Sequence, residues 1–210
     1  DCLMPADLAA AHQLADRITD LAFRLEHDIR QFFIAIDYFL ESQRSGQAIG
    51  VYGQSQRILP ATRTLPAWTD VEINWDTTDE TWHLLLTLVG QMHKSAGGGL
   101  QEANETLEDA LGNLGDLFRR MTEAHGYLNA MIVKPEPGYV YWAEISPVNN
   151  RVTLQAAPLH VGPLMEQFLW HEKASVILTS ATMTTQGEFD YIRSRLNADE
   201  ADELVLGSPF

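Results

Sequence analysis

Apolar side chains near the start of the chain recur at Leu14, Ile18, Leu21, Leu25, Ile29, Phe32, Ile36 and Phe39, in steps of four and three. That rhythm predicts one amphipathic helix from about Pro5 to Ser45 with a near-heptad stripe. Pro5 suits a first turn and Gly46 a stop. At 1.5 Å per residue the helix would span roughly 60 Å, more than a compact domain of this size covers, so it is expected to project. From 46 to 75 the pattern breaks up. Gly46, Gly50, Gly53, Pro60 and Pro66 punctuate short β-like runs, and the alternation of Val71-Glu72-Ile73-Asn74-Trp75 suggests a half-exposed strand.

A second helix is expected from the capping sequence Asp76-Thr77-Thr78, with Trp82, Leu85, Leu88, Val89 and Met92 on one stripe and Gly97-Gly98-Gly99 as its end. A third run carries Leu100, Ala103, Leu107, Leu111, Leu114, Leu117, Phe118 and Met121, and Gly112 and Gly115 invite a bend in it. After Pro135-Glu136-Pro137-Gly138 the period changes from 3.6 to 2. Tyr139–Ile145 and Arg151–Ala156 read as a hairpin turned at Pro147, Asn149 and Asn150. Gly162-Pro163 opens a short helix with Leu164, Met165, Phe168 and Leu169. The unbroken apolar run Ser175–Thr179 has the pattern of a strand buried on both faces of a parallel sheet. A helix around Phe189–Leu196 and a short strand Leu204–Leu206 complete the reading. One such strand flanked by helices is too little for a complete α/β sheet. The expected fold class is therefore mainly α, with an α/β part that resembles a fragment.

The 210 residues carry 45% hydrophobic and 20% charged side chains, a globular balance. No window approaches the roughly 18 consecutive apolar residues of a membrane span, so no membrane partner is expected. The first residues, Asp1-Cys2-Leu3-Met4-Pro5, have neither an initiator Met nor a secretion pattern, and both ends read as cut edges. Cys2 is the only cysteine, which excludes an internal disulfide or a multi-cysteine metal site, and a cytoplasmic origin is compatible with this. A net charge of −15 argues against strong independent nucleic-acid binding, which needs clustered Lys and Arg.

The chemistry concentrates in Ser175-Val176-Ile177-Leu178-Thr179-Ser180-Ala181-Thr182-Met183-Thr184. A buried strand ending in small hydroxyl residues places them at its carboxyl edge, where α/β sheets keep their sites. Ser180 and Thr182 are two apart, so on extended backbone both hydroxyls point one way, a pairing suited to a hydrogen-bond relay. The plainer reading is a loop start, for which hydroxyl residues are common.

Taken with its flanks, the stretch resembles motif III (Ser-Ala-Thr) of superfamily 2 helicases, in the form of the DinG/XPD group. The flanks are Pro158-Leu159-His160-Val161-Gly162-Pro163-Leu164 before it, and Phe189-Asp190-Tyr191-Ile192 and Gly207-Ser208-Pro209-Phe210 after it. Tyr141-Trp142-Ala143-Glu144 and Arg63-Thr64-Leu65-Pro66-Ala67-Trp68 also look like bacterial DinG-like helicases. The resemblance is specific from about Tyr139 onward and looser before. It implies an elongated helical arch over 1–138, inserted into a motor domain. It further implies a partial RecA-like segment over 139–210, with the second motor domain beginning near Leu204. Thr179, Ser180, Ala181 and Thr182 would couple ATP hydrolysis to strand movement; Met183 stands where leucine is more usual, a volume-conserving change. The parent is implied to be an ATP-dependent DNA helicase using ATP and Mg2+, acting on single-stranded DNA and forked duplexes in DNA repair or replication, with 5′ to 3′ polarity. An iron-sulfur cluster is possible in that parent but outside this stretch. The sequence has no Gly-x-x-x-x-Gly-Lys-Ser/Thr loop, no DEAH box and no arginine-bearing final motif, so no catalytic residue is expected here and the stretch alone should not hydrolyse ATP.

Arg57, Arg63 and Trp68 are candidate DNA contacts, near Tyr52 and Trp75, since basic and aromatic side chains together stack on and neutralise single strands. Aromatic packing beneath surface arginines is the competing reading. His83, His93, His125, His160 and His171 show no metal-ligand spacing and read as ordinary polar residues, so no metal site is expected. Two rival functions remain at this point: a helical scaffold or protein-interaction module without enzymatic activity, supported by the heptad-like first helix, and an unrelated α/β enzyme binding a phosphate at its strand-end hydroxyls.

Overall fold

The computed structural model describes residues 5–97, 105–185 and 187–207. Helix α1 runs Pro5–Arg44 and ends where Ser45 and Gly46 turn to positive φ, as its spacing and stop signal predict. Helix α2 is Pro66–Gly97, so the strand expected at Val71–Trp75 and the helix start expected at Asp76 both give way to an earlier start. The reason lies in a longer window. Trp68, Val71, Trp75, Thr78, Trp82, Leu85 and Val89 are buried in steps of three and four, while Ile73 is exposed. Five residues of V-E-I-N-W fit a period of 2, but Val71 and Trp75 also share a helix face. Pro66, read as punctuation, occupies the first helical position, where its missing N–H costs nothing.

Two aromatic series tie α1 to α2. Phe39 meets Trp68 edge-on with ring centroids 5.0 Å apart, and Phe32 meets Trp75 at 5.4 Å. One heptad further along, Leu25 joins Trp82 in a shared cluster. Numbers fall on α1 as they rise on α2, so the helices run antiparallel with coiled-coil-like spacing. Within this seam Thr81 donates to the buried Asp28 carboxylate at 2.8 Å.

Helix α3, Glu105–Ile132, is one unbroken helix through Gly112 and Gly115 and extends well past the apolar run that announced it. Leu100 and Ala103 of that run, and Gly98 and Gly99, lie outside the described residues. Gly115 serves packing rather than a bend: a Cβ there would lie 3.1 Å from the His93 ring of α2. Leu114, Phe118, Met121 and Leu128 of α3 pack on the Leu25–Trp82–Leu85–Val89 cluster.

Strands β1 (Gln54–Arg57), β2 (Tyr139–Ile145) and β3 (Val152–Pro158) form a sheet in that order, with β1 antiparallel to β2 from Gln54↔Ile145 to Arg57↔Trp142. Gly53, at φ +81, sits against the Ile145 carbonyl where any Cβ would collide. The alternating burial along β2 sends Tyr141, Ala143 and Ile145 into the main core with Phe32, Ile36, Phe39, Trp68, Trp75 and Ile132. The chain thus forms two compact units. Tyr141–Ala156 belongs with the helical unit that ends at Pro137, because the hairpin's apolar face has its partners there; Gly138–Val140 and the residues from Ala157 on form the second unit.

In the second unit, α4 (Gly162–Met165) continues as a π turn over Glu166–Trp170, and α5 spans Asp190–Leu196. The Trp170 indole donates to the Leu196 carbonyl at 2.7 Å, and Asn197, left-handed at φ 51, donates to Glu166 at 3.1 Å. The strands expected at Ser175–Thr179 and Leu204–Leu206 are not formed. Both segments lack a ladder partner among the described residues, and Ile177 is 84% and Leu206 78% exposed. A strand of a parallel sheet exists only through neighbours that take up its N–H and C=O groups. The strands that do form among the described residues make up the three-stranded sheet β1-β2-β3.

Candidate functional site

The hydroxyl-rich turn follows the extended segment directly. Ser180 Oγ lies 3.2 Å from Thr182 Oγ1, and the Thr182 N–H donates to Ser180 Oγ at 3.2 Å. The two hydroxyls therefore meet, although the backbone turns rather than continuing as a strand. Thr179, Ser180, Ala181 and Thr182 are all exposed and Met183 is half-buried. A paired hydroxyl of this kind keeps a spare donor and acceptors for an outside group.

The other sequence candidates are separated by the fold. Arg57 is exposed at the end of β1, and Tyr52 is 98% exposed in the preceding turn. Trp68 has 0% exposure, so its ring offers no face to a nucleotide base in this fold. Trp75 is buried likewise. Arg63 has a structural task. Its guanidinium donates to the Ile132 carbonyl and, at 2.6 Å, to the Met131 carbonyl, and it lies 6.0 Å from the centroid of Trp68. These carbonyls close α3, where the last turn leaves acceptors free and the helix dipole favours a cation. Burial lowers the Arg63 pKa from its usual range, partly offset by Glu72 and Tyr141, and the group stays charged.

A further cluster was not anticipated. Asp79 and His83 stand one turn apart on α2, and α3 brings His125 beside them. His125 Nε2 lies 2.5 Å and His83 Nδ1 3.4 Å from Asp79 Oδ1. The two imidazoles meet edge-to-face at 4.6 Å, and Trp75 and Trp82 flank His125 at 5.7 and 5.8 Å. The i, i+4 pair was visible in the sequence, but His125, 46 residues from Asp79, enters only through packing.

No family model and no solved structure matches the chain. Curated relatives do. Over 157 residues, 70% of this chain, it is 30% identical to the ATP-dependent DNA helicase DinG of Photobacterium profundum. It is 32% identical over 93 residues, 44% of the chain, to the ATP-dependent DNA helicase YoaA of Escherichia coli, and 24% identical over 157 residues, 66% of the chain, to the 3′-5′ exonuclease DinG of Bacillus subtilis. The chain is related to the DinG-like helicases. The matched stretches amount to 22%, 14% and 17% of these three relatives, so the match spans less than a quarter of each. Among the described residues no helix is long and apolar enough to cross a membrane.

Proposed function

We propose that this chain is the helical arch and coupling segment of a DinG-like, ATP-dependent DNA helicase acting in DNA repair or replication. The observation that carries the reading is the relation to helicases named DinG and YoaA, which for one of them extends over 70% of the chain. On this reading the helices up to about residue 138 guide or separate strands, and 139–210 is a RecA-like motor segment running into the second motor domain. The exposed apolar Ile177, Leu178, Leu204, Val205 and Leu206 support it, as two extended segments awaiting sheet neighbours from the rest of a motor. Single-stranded DNA and forked duplex would be the substrates, with 5′ to 3′ movement, in the cytoplasm. The charge of −15 and the burial of Trp68 leave most of the grip on DNA to other parts of the enzyme, with Arg57 the best remaining contact.

ATP and Mg2+ would bind elsewhere in such a helicase, since these 210 residues have no phosphate-cradling glycine loop and no DEAH carboxylates. An iron-sulfur cluster finds no donor set here either, with Cys2 the single cysteine. The part played by this chain is the Ser180–Thr182 pair, which would pass the state of the nucleotide site to the DNA-bearing interface.

The test replaces both residues, Ser180→Ala with Thr182→Ala, in the complete helicase. DNA-stimulated ATP hydrolysis and unwinding are measured on one preparation, with thermal melting as the folding control. Each lost hydrogen bond is worth about 0.5–1.5 kcal/mol, so the fold should survive. Unwinding should fall about tenfold or more beyond any fall in hydrolysis, a gap equivalent to about 1.4 kcal/mol in coupling. Equal falls would indicate damage to the ATP site, and unchanged unwinding would remove the relay.

A further inference from the structure

The Asp79–His83–His125 cluster is independent of the motif that relates the chain to helicases. It joins two helices and consists of two imidazoles and one carboxylate whose ligand atoms all lie within 4.8 Å of one another. Its members differ in setting. The His125 side chain is 13% exposed and held between tryptophans, Asp79 is 34% exposed, and His83 is 64% exposed. His83 thus opens the partly enclosed pair to solvent.

We propose that Asp79, His83 and His125 form a transition-metal site, of the zinc class, that clips α2 to α3. Two nitrogens and an oxygen favour Zn2+ and its neighbours over Mg2+ or Ca2+, which prefer all-oxygen shells. With metal–ligand bonds near 2.0–2.1 Å, tetrahedral ligands stand about 3.4 Å apart. Asp79 and His83 already meet that spacing at 3.4 Å. His125 and Asp79, at 2.5 Å, share a hydrogen bond that the ion would replace, opening by about 0.9 Å. A turn of the half-exposed Asp79 carboxylate supplies that movement while His125 stays seated against Trp75 and Trp82. The fourth position faces solvent beside His83 and takes water. The ion would thus cross-link α2 and α3 at the point where the Asp79–His125 bond already joins them.

The experiment is thermal melting of the 210-residue chain with and without Zn2+, together with titration by Co2+ read through its visible d–d absorption. Binding only to the folded state should raise Tm by about 3–5 °C when free zinc is tenfold above its Kd. Co2+ should give the intense band of a tetrahedral site. His83→Ala is the decisive variant because His83 is exposed, so its loss should lower the metal-free Tm only slightly, by less than the zinc-induced rise. It should weaken zinc binding at least tenfold and abolish the cobalt band; Asp79→Asn and His125→Gln should do the same. A zinc response that is absent, or that persists undiminished in His83→Ala, would overturn the site and leave Asp79–His125 as a hydrogen bond between helices.

Discussion

The helical unit and the C-terminal unit are built from chain of similar hydrophobicity but reach different ends. Around α1, α2, α3 and β2, apolar side chains close into two clusters containing Trp68, Trp75, Phe32 and Phe39 at 0 or 1% exposure. From Ala157 on, no described hydrophobic side chain is buried, and Ile177, Leu204, Val205 and Leu206 are exposed. The contrast follows from how each pattern satisfies its backbone. A helix completes its hydrogen bonds within itself and needs only one neighbour for its apolar stripe. An extended apolar segment must borrow both its ladder bonds and its two covering faces from other parts of a sheet.

The sharpest way to break this comparison is to empty the helical core. Trp68→Ala should destabilise the chain by about 3–5 kcal/mol, because the cavity lies against Phe39 and cannot collapse between two long helices. Urea unfolding monitored by circular dichroism measures it, and a loss below about 1 kcal/mol would mean that the α1–α2 seam is not the core. A middle effect is expected where the connecting loop locks α3. Arg63→Met keeps the aliphatic stem over Trp68 but strips the Met131 and Ile132 carbonyls of their cation, and should cost about 2 kcal/mol in the same assay. If Arg63→Lys restores nothing, the planar two-pronged fit is what counts. The smallest effect belongs to the other unit: Ile177→Ser should change stability by less than about 0.5 kcal/mol while reducing self-association at high concentration, seen by light scattering. A large loss there would show that the segment is packed after all.

Much of the helical unit was legible because its period persists. The stripe from Leu14 to Phe39 repeats often enough to exclude any other element, and α1 is found at Pro5–Arg44. Tyr139–Ile145 was equally clear, since alternation over a whole strand with turn residues on both sides has one interpretation. Val71–Trp75 was misread because five residues satisfy two periods at once. Trp68 keeps two readings in the sequence because its type suits both a stacking platform and a core, and its contact with Phe39 on a distant helix places it in the core.

The candidate sites show the same divide. The sequence by itself put Ser180 and Thr182 two apart, but the 3.2 Å between their hydroxyls comes from a local turn and not from the extended backbone that the spacing suggested. It also determined the relation to helicases, which rests on the order of residues alone. Whether Arg63 faces solvent or closes a helix, whether Ile177 is covered, and whether His125 reaches Asp79 were decided by the tertiary structure. Each depends on a partner far along the chain, 69 residues from Arg63 to Ile132 and 46 from Asp79 to His125, and no local period encodes which distant turn will arrive.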